Sequence, residues 1–133
     1  MSIEWEDDLL VGNDVIDDDH KKLVSIINEL ERAIAKRDVS GVEDVFQRLQ
    51  TYTEEHFARE EALQKAIHFP ERNAHRDRHE ALKWSLQDQY EGFRLRERGS
   101  LVSFRTFLRQ WLIDHIVDDD MKMKPYLTGE MKP

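Results

Sequence analysis

Cysteine is absent from the 133 residues. That absence removes disulfide frameworks, zinc–thiolate sites, iron–sulfur clusters and cysteine nucleophiles together. Any metal must therefore be held by nitrogen and oxygen. Glycine and proline are scarce, at 5 and 3 residues, and charged residues make up 36% of the chain, a balance that favours long amphipathic helices over many short strands. No run approaches the roughly 18 consecutive apolar residues of a membrane span, and the stretch from Met1 to Asp19 has no basic segment leading into an apolar one. A soluble, cytoplasmic protein without membrane insertion is expected. An excess of positive charge is missing too: the formal net charge is −8, which opposes non-specific attraction to nucleic acid or anionic lipid. The length suits one domain with a single core.

What is present is helical period. Residues 1–17 carry scattered apolar positions (Ile3, Trp5, Leu9, Leu10, Val15, Ile16) with a turn at Gly12-Asn13-Asp14, and read as an arm packed across the body. From Asp18 a first helix begins, with His20, Leu23, Val24, Ile27, Leu30 and Ile34 three and four apart until Lys36-Arg37 supplies positive charge to a last turn. Ser40 and Glu43 have the spacing of a capping box at the start of a second helix. That helix carries Val42, Val45, Leu49, Tyr52, His56, Glu60, Leu63 and Ile67 until Phe69-Pro70 breaks it. A third helix follows with His75, His79, Leu82, Leu86 and Phe93 on one face. Glu97 to Ser100 reads as a turn with Ser100 as the next N-cap, and a fourth helix holds Leu101, Phe104, Leu108, Trp111, Leu112 and His115 before Pro125 limits it. Short connections join antiparallel neighbours, so the chain is expected to be all-α: an up-down-up-down four-helix bundle over residues 18–122, with a tail from residue 123 to 133.

Five of the six histidines fall on faces that apolar periodicity assigns to the interior. His20 continues the Leu23/Ile27 stripe, His56 the Leu49/Tyr52 stripe, His75 and His79 the Leu82/Leu86 stripe, and His115 the Leu108/Trp111 stripe. A buried imidazole needs a partner for each nitrogen, and a metal satisfies several at once. The pairs His56/Glu60 and His75/His79 are four residues apart, one side chain above the other on a helical face. Taken singly, each pair has an ordinary explanation as a solvated or chance pair. In an up-down-up-down bundle, however, all five histidines meet at one end. Five imidazoles exceed a tetrahedral site and point to two metals, and mixed imidazole and carboxylate donors suit iron or manganese. Among Asp118, Asp119 and Asp120, ideal geometry prefers Asp119 as a second bridging carboxylate beside Glu60; Asp120, five residues after His115, would require a bulge in the last turn.

These residues resemble the hemerythrins, and more closely the single-domain bacterial members. The resemblance runs from Trp5 and Gly12 through Ile16-Asp17-Asp18-Asp19-His20, His56-Phe57-Ala58-Arg59-Glu60-Glu61, Phe69-Pro70, His75 and His79 to His115-Ile116-Val117-Asp118-Asp119-Asp120. It implies two non-haem irons, one bound by His75, His79 and His115 and the other by His20 and His56. It further implies bridging by Glu60, Asp120 and an oxo or hydroxo group, with one open position that takes O2 reversibly. It selects Asp120 over Asp119, and it places Leu112 and Trp111 at the O2 pocket, where ordinary core packing is an equally compatible role for Leu112. Gln64 departs from the Met common in bacterial members. His68, in the turn before Pro70, reads as a surface residue, Trp84 and Tyr90 as packing, and Asp17 to Asp19 as favourable charge at a helix N-terminus. Reversible O2 binding for storage, delivery or scavenging, without catalytic turnover, is the expected function. The alternatives are a di-iron enzyme acting on peroxide, nitric oxide or O2, and an oxygen or redox sensor working through a separate partner.

Overall fold

A computed structural model describes residues 3–94 and 100–128. Four long helices form the body: α1 (Asp14–Ala35), α2 (Val39–Ala66), α3 (Arg72–Arg94) and α4 (Ser100–Asp114). Each packs on the next in sequence, and α4 closes against α1, which makes a four-helix bundle. After α4 the chain widens into a π-helical turn (His115–Asp119), tightens through a 3-10 turn (Asp120–Met123) and ends in the short α5 (Lys124–Leu127), with Pro125 in its first turn. No helix among the described residues is long and apolar enough to cross a membrane.

The first helix begins four residues earlier than its hydrophobic period suggests. Asn13 is the N-cap and accepts from the Ile16 amide at 3.1 Å. The pattern hid this turn because Val15 faces solvent while Asp17 is buried, the reverse of the usual assignment. The second helix also starts early: Asp38, not Ser40, caps it, accepting from the Gly41 amide at 3.0 Å. A Cβ at Gly41 would run into that carboxylate, so the glycine is what admits the cap. The turn expected at Glu97 to Gly99 lies outside the described residues, and Ser100 is the first residue of α4.

The helices α1 and α2 stop in the same way. Arg37 and His68 take left-handed backbone, each with a φ of 55°. The Asp38 and Phe69 amides reach back to the Ala33 and Gln64 carbonyls, at 3.1 and 2.9 Å, closing Schellman caps. His68 is thus an exposed cap residue.

The interior divides by length. At one end Phe46 stacks on Tyr90 at 3.7 Å between centroids, with Phe104 tilted against both and Phe93 stacked beyond it. The other end holds the histidines. Tyr90 packs as expected, but Trp84 does not: it is 69% exposed. The N-terminal arm lies against the core through Ile3, Trp5 and Leu9, and the Asn28 side chain holds both the amide and the carbonyl of Ile3, at 2.7 and 2.8 Å. Gly12, with a φ of 100°, approaches Thr128 closely, so the arm and the C-terminal segment meet. Asp17 secures that junction, accepting from the Val11 amide at 2.7 Å and the Gly12 amide at 3.3 Å.

Asp17→Ala should therefore leave the buried Val11 N–H unpaired and cost about 1–3 kcal/mol of unfolding free energy. Urea denaturation gives the loss, and limited proteolysis should show earlier cutting within residues 3–13 than in the parent protein.

Candidate metal centre

Four helices deliver the donors to one end of the bundle. His20 comes from the second turn of α1, His56 and Glu60 from the closing turns of α2, His75 and His79 from the opening turns of α3, and His115 from the junction where α4 becomes π-helical. His20, His56, Glu60, His79 and Asp120 are fully buried, and His75 and His115 nearly so. Asp120 arrives there because the His115–Asp119 segment winds as a π-turn. Closing hydrogen bonds at i→i+5 places a residue five positions on over the same face, so Asp120 turns inward beside His115 while Asp119 falls to the outer side.

The two inner carboxylates each face two ways. Glu60 Oε1 lies against His56 and His115, the latter at 3.1 Å, while Oε2 faces His75 at 3.4 Å and His79 at 4.0 Å. Asp120 Oδ2 meets His20 at 2.7 Å and His115 at 2.9 Å, and Oδ1 meets His75 at 2.9 Å. Two overlapping donor sets result: His20, His56, Glu60, His115 and Asp120, and Glu60, His75, His79, His115 and Asp120, with the donor atoms of each set within 4.8 Å of one another. His115 stands between them. Its ring is 5.2 Å from His79 and 5.7 Å from His75, against 6.0 Å from His56 and 6.4 Å from His20, yet its Nε2 shares Glu60 Oε1 and Asp120 Oδ2 with the His20/His56 side.

The interior atoms of this cluster fit a metal. Nε2 of His56, His75 and His79, with Glu60 Oε2 and Asp120 Oδ1, are buried and lie close to one another, yet none is aligned to make a hydrogen bond. Buried polar atoms are rarely left so, and inward-facing imidazole nitrogens and carboxylate oxygens are the donors that divalent and trivalent iron accepts.

The sequence pattern of the family described as "Hemerythrin HHE cation binding domain" matches residues 11–127. The chain belongs to the hemerythrin family. Among its relatives, the bacteriohemerythrin of Stenotrophomonas maltophilia (strain R551-3) is 35% identical over 119 residues, covering 87% of this chain and 75% of the relative. That of Pseudomonas aeruginosa (strain LESB58) is 33% identical over 116 residues with the same coverage. A hemerythrin-like protein of Naegleria gruberi is 30% identical over 123 residues, 92% of each chain. Membership of the hemerythrins and a buried histidine–carboxylate cluster together suit a non-haem di-iron site.

Behind the inner atoms stands a second layer that the hydrophobic pattern could not reveal. Asp19 sits at 3.0 Å from His56 Nδ1, Glu61 at 2.9 Å from His79 Nδ1, and Asp119 at 3.4 Å from His115 Nδ1. A carboxylate on the outer nitrogen fixes the tautomer and ring orientation of a histidine whose other nitrogen binds a metal. Of the Asp17–Asp19 run, read from sequence as helix-terminal charge, only Asp18 is exposed; Asp17 ties down the arm and Asp19 backs His56. Phe57 was also missed: it stacks on His79 at 3.9 Å and meets His115 edge-on at 5.2 Å. Leu112 is fully buried, and Trp111 gives its indole N–H to the Leu82 carbonyl at 3.0 Å. Gln64 is buried one turn beyond Glu60, its amide on the Met123 sulfur at 3.4 Å.

Within this hemerythrin cluster the carboxylates and imidazoles shift one another's ionisation. Burial alone would depress the His20 imidazole, but the Asp120 carboxylate at 2.7 Å and the negative charge of Glu60 beside it push it up to about 9, and the same two carboxylates push His75 up to about 9. His115 rises well above its usual range as the Asp120 and Glu60 charges overcome burial. His79 moves down, because burial outweighs Glu60 and Glu61. Burial opposes ionisation of Glu60, yet the charges of His56 and His115 hold it well below the usual carboxylate range.

A raised histidine stabilises the fold fully below its unfolded value of 6.5, and that contribution is lost as pH rises through about 9. The depressed Glu60 contributes above its ordinary 4.5 and is lost as pH falls. Chelator-treated protein should thus be most stable between about pH 4.5 and 6.5 and weaken steadily toward pH 9. Urea midpoints across this range check it; a constant midpoint from pH 6.5 to 9 would contradict the assignment.

Proposed function

We propose that this protein binds O2 reversibly at a non-haem di-iron centre, for storage, delivery or scavenging, and that it does so without catalytic turnover. The observation that carries the reading is the pair of overlapping donor sets that share Glu60 and Asp120. A single ion has no use for five imidazoles and two carboxylates whose oxygens turn opposite ways, whereas two ions held with Glu60 and Asp120 in common would use every donor.

We assign His75, His79 and His115 to one iron and His20 and His56 to the other. The shorter ring separation of His115 from His79 than from His20 supports that division. With three histidines for one iron and two for the other, the iron held by His20 and His56 would be the one with room for O2. Iron held there in its reduced form would supply the electrons needed for reversible O2 binding.

The chain's own contribution is orientation and exclusion of water. Asp19, Glu61 and Asp119 hold three imidazoles in fixed tautomers. Glu60 and Asp120 bring two negative charges to offset the cations. Phe57 packs against His56 as well as His79 and His115, Leu112 and Trp111 add buried apolar surface, and the Trp111 N–H, already engaged, offers no proton. A dry surround slows the loss of a reversibly held oxygen.

The test begins with iron content after native purification, expected at about two per chain; absence of iron would sink the reading. Anaerobic reduction followed by O2 should then give an absorption spectrum that decays slowly and reverses under vacuum. Immediate conversion to the ferric form with consumption of added peroxide or nitric oxide would instead favour an enzyme. His56→Ala and Asp120→Ala should each lower iron content. Asp119→Ala should retain iron, with affinity reduced by about 10–100-fold as for other outer-layer partners; the reverse order of the two aspartates would refute the bridge assignment.

A further inference from the structure

The three carboxylates behind the imidazoles are unequal. Glu61 and Asp119 have side chains 30% and 12% exposed, but that of Asp19 is 5% exposed. Asp19 is also held far more heavily. Its Oδ1 accepts from the Tyr52 hydroxyl and from Arg59 Nη2, both at 2.7 Å, and its Oδ2 accepts from Arg59 Nε at 2.8 Å and lies 3.0 Å from His56 Nδ1. An ionised carboxylate has about four acceptor sites, and all are taken. His56 therefore shares the electron density of Asp19 with one neutral donor and one cation. By contrast, His20 Nδ1 is buried and has no hydrogen-bond partner. Of the two imidazoles assigned to the open iron, one has an adjustable support and the other has none.

We propose that Asp19, held by Tyr52 and Arg59, is a positioning residue that sets the donor strength of His56 and through it the reduction potential of the iron that His56 holds. The inference rests on the di-iron reading above. A carboxylate that accepts strongly from Nδ1–H moves the imidazole toward imidazolate, and the more basic ring favours ferric over ferrous iron. Tyr52 and Arg59 draw on the same carboxylate and moderate the effect. Both extend outward: Tyr52 is half-buried, Arg59 is 36% exposed and lies over the Tyr52 ring at 5.4 Å, and Lys22 lies over the same ring at 5.9 Å. The setting of a buried histidine is thus governed from groups at the α1–α2 surface.

The potential of the iron-loaded protein should be titrated for the parent chain, Asp19→Asn, Arg59→Met and Tyr52→Phe. In parallel, the exchangeable Nδ1–H proton of His56 should be followed by NMR in zinc-loaded and chelator-treated protein. Asp19→Asn should raise the potential, weaken iron retention by about 10–100-fold and move the proton upfield. Arg59→Met and Tyr52→Phe should lower the potential and move the proton downfield. Tyr52→Phe changes no charge, so a shift there reports the hydrogen-bond relay and not a through-space field, and because Phe keeps the half-buried ring it leaves the test open if Asp19→Asn folds poorly. Displacement of all three variants in one direction would mean a general loosening and would overturn the proposal, as would a Tyr52→Phe protein matching the parent in both readouts. Absence of iron in the parent refutes the di-iron reading; an unmoved His56 proton, with or without metal, refutes the role of Asp19.

Discussion

Seven titratable side chains packed into one end of a narrow bundle are the constraint around which the rest of the molecule is arranged. Five imidazoles and two carboxylates with almost no access to water would be costly as isolated polar groups, and mutual ion pairing in a dry interior recovers the desolvation penalty only where geometry and further hydrogen bonds are good. The chain supplies them in layers. Inner carboxylates face both halves of the histidine set, outer carboxylates take the far nitrogen of three imidazoles, and Arg59 and Arg78 hold two of the outer carboxylates in turn. Charge alternates outward from the centre to the surface. The inner atoms left without hydrogen bonds are those through which a metal would add its own binding energy to folding.

That polar end depends on an ordinary one. The stacked Phe46 and Tyr90, with Phe104 and the leucine and isoleucine rows of α1 and α2, make a continuous apolar core that needs nothing from the site. Replacing a buried aromatic in such a core costs about 3–5 kcal/mol, so the far end can hold the four helices in register while the near end carries groups that add little stability themselves. A partly buried pair, Glu31 with Arg109 at 2.9 Å, fixes α1 against α4 between the two regions. The arm and the residues from Met123 to Thr128 then close the polar end: Met123 is fully buried against Gln64, and Tyr126 packs edge-on to Phe69, which itself meets His75 edge-on.

The π-turn at His115–Asp119 links the two levels. An α-helix that continued unchanged would have aimed Asp119 inward and Asp120 away. One extra residue per turn exchanges them, so that a single local rewinding delivers both an inner carboxylate and, one position earlier, an outer one at His115 Nδ1. π-turns are rare and concentrate where function requires a side chain out of helical phase.

The sequence by itself determined the helices, their apolar stripes and the meeting of His20, His56, His75, His79 and His115 at one end, because a 3.6-residue period and connections too short to cross the bundle leave no other arrangement. It also carried the family resemblance. Local caps were less legible: the Ser40/Glu43 spacing suggested a box where Asp38 and Gly41 make the cap, and buried Asp17 disguised the first turn of α1. Only the tertiary structure decided which acid does what. Asp19, Glu61 and Asp119 are indistinguishable from solvated neighbours in a chain rich in acids, and their partners lie across the bundle or in an altered turn. Period-based reasoning assigns a face to each residue, but hydrogen bonds between helices depend on their relative rotation and axial shift, which are set by packing of the whole core.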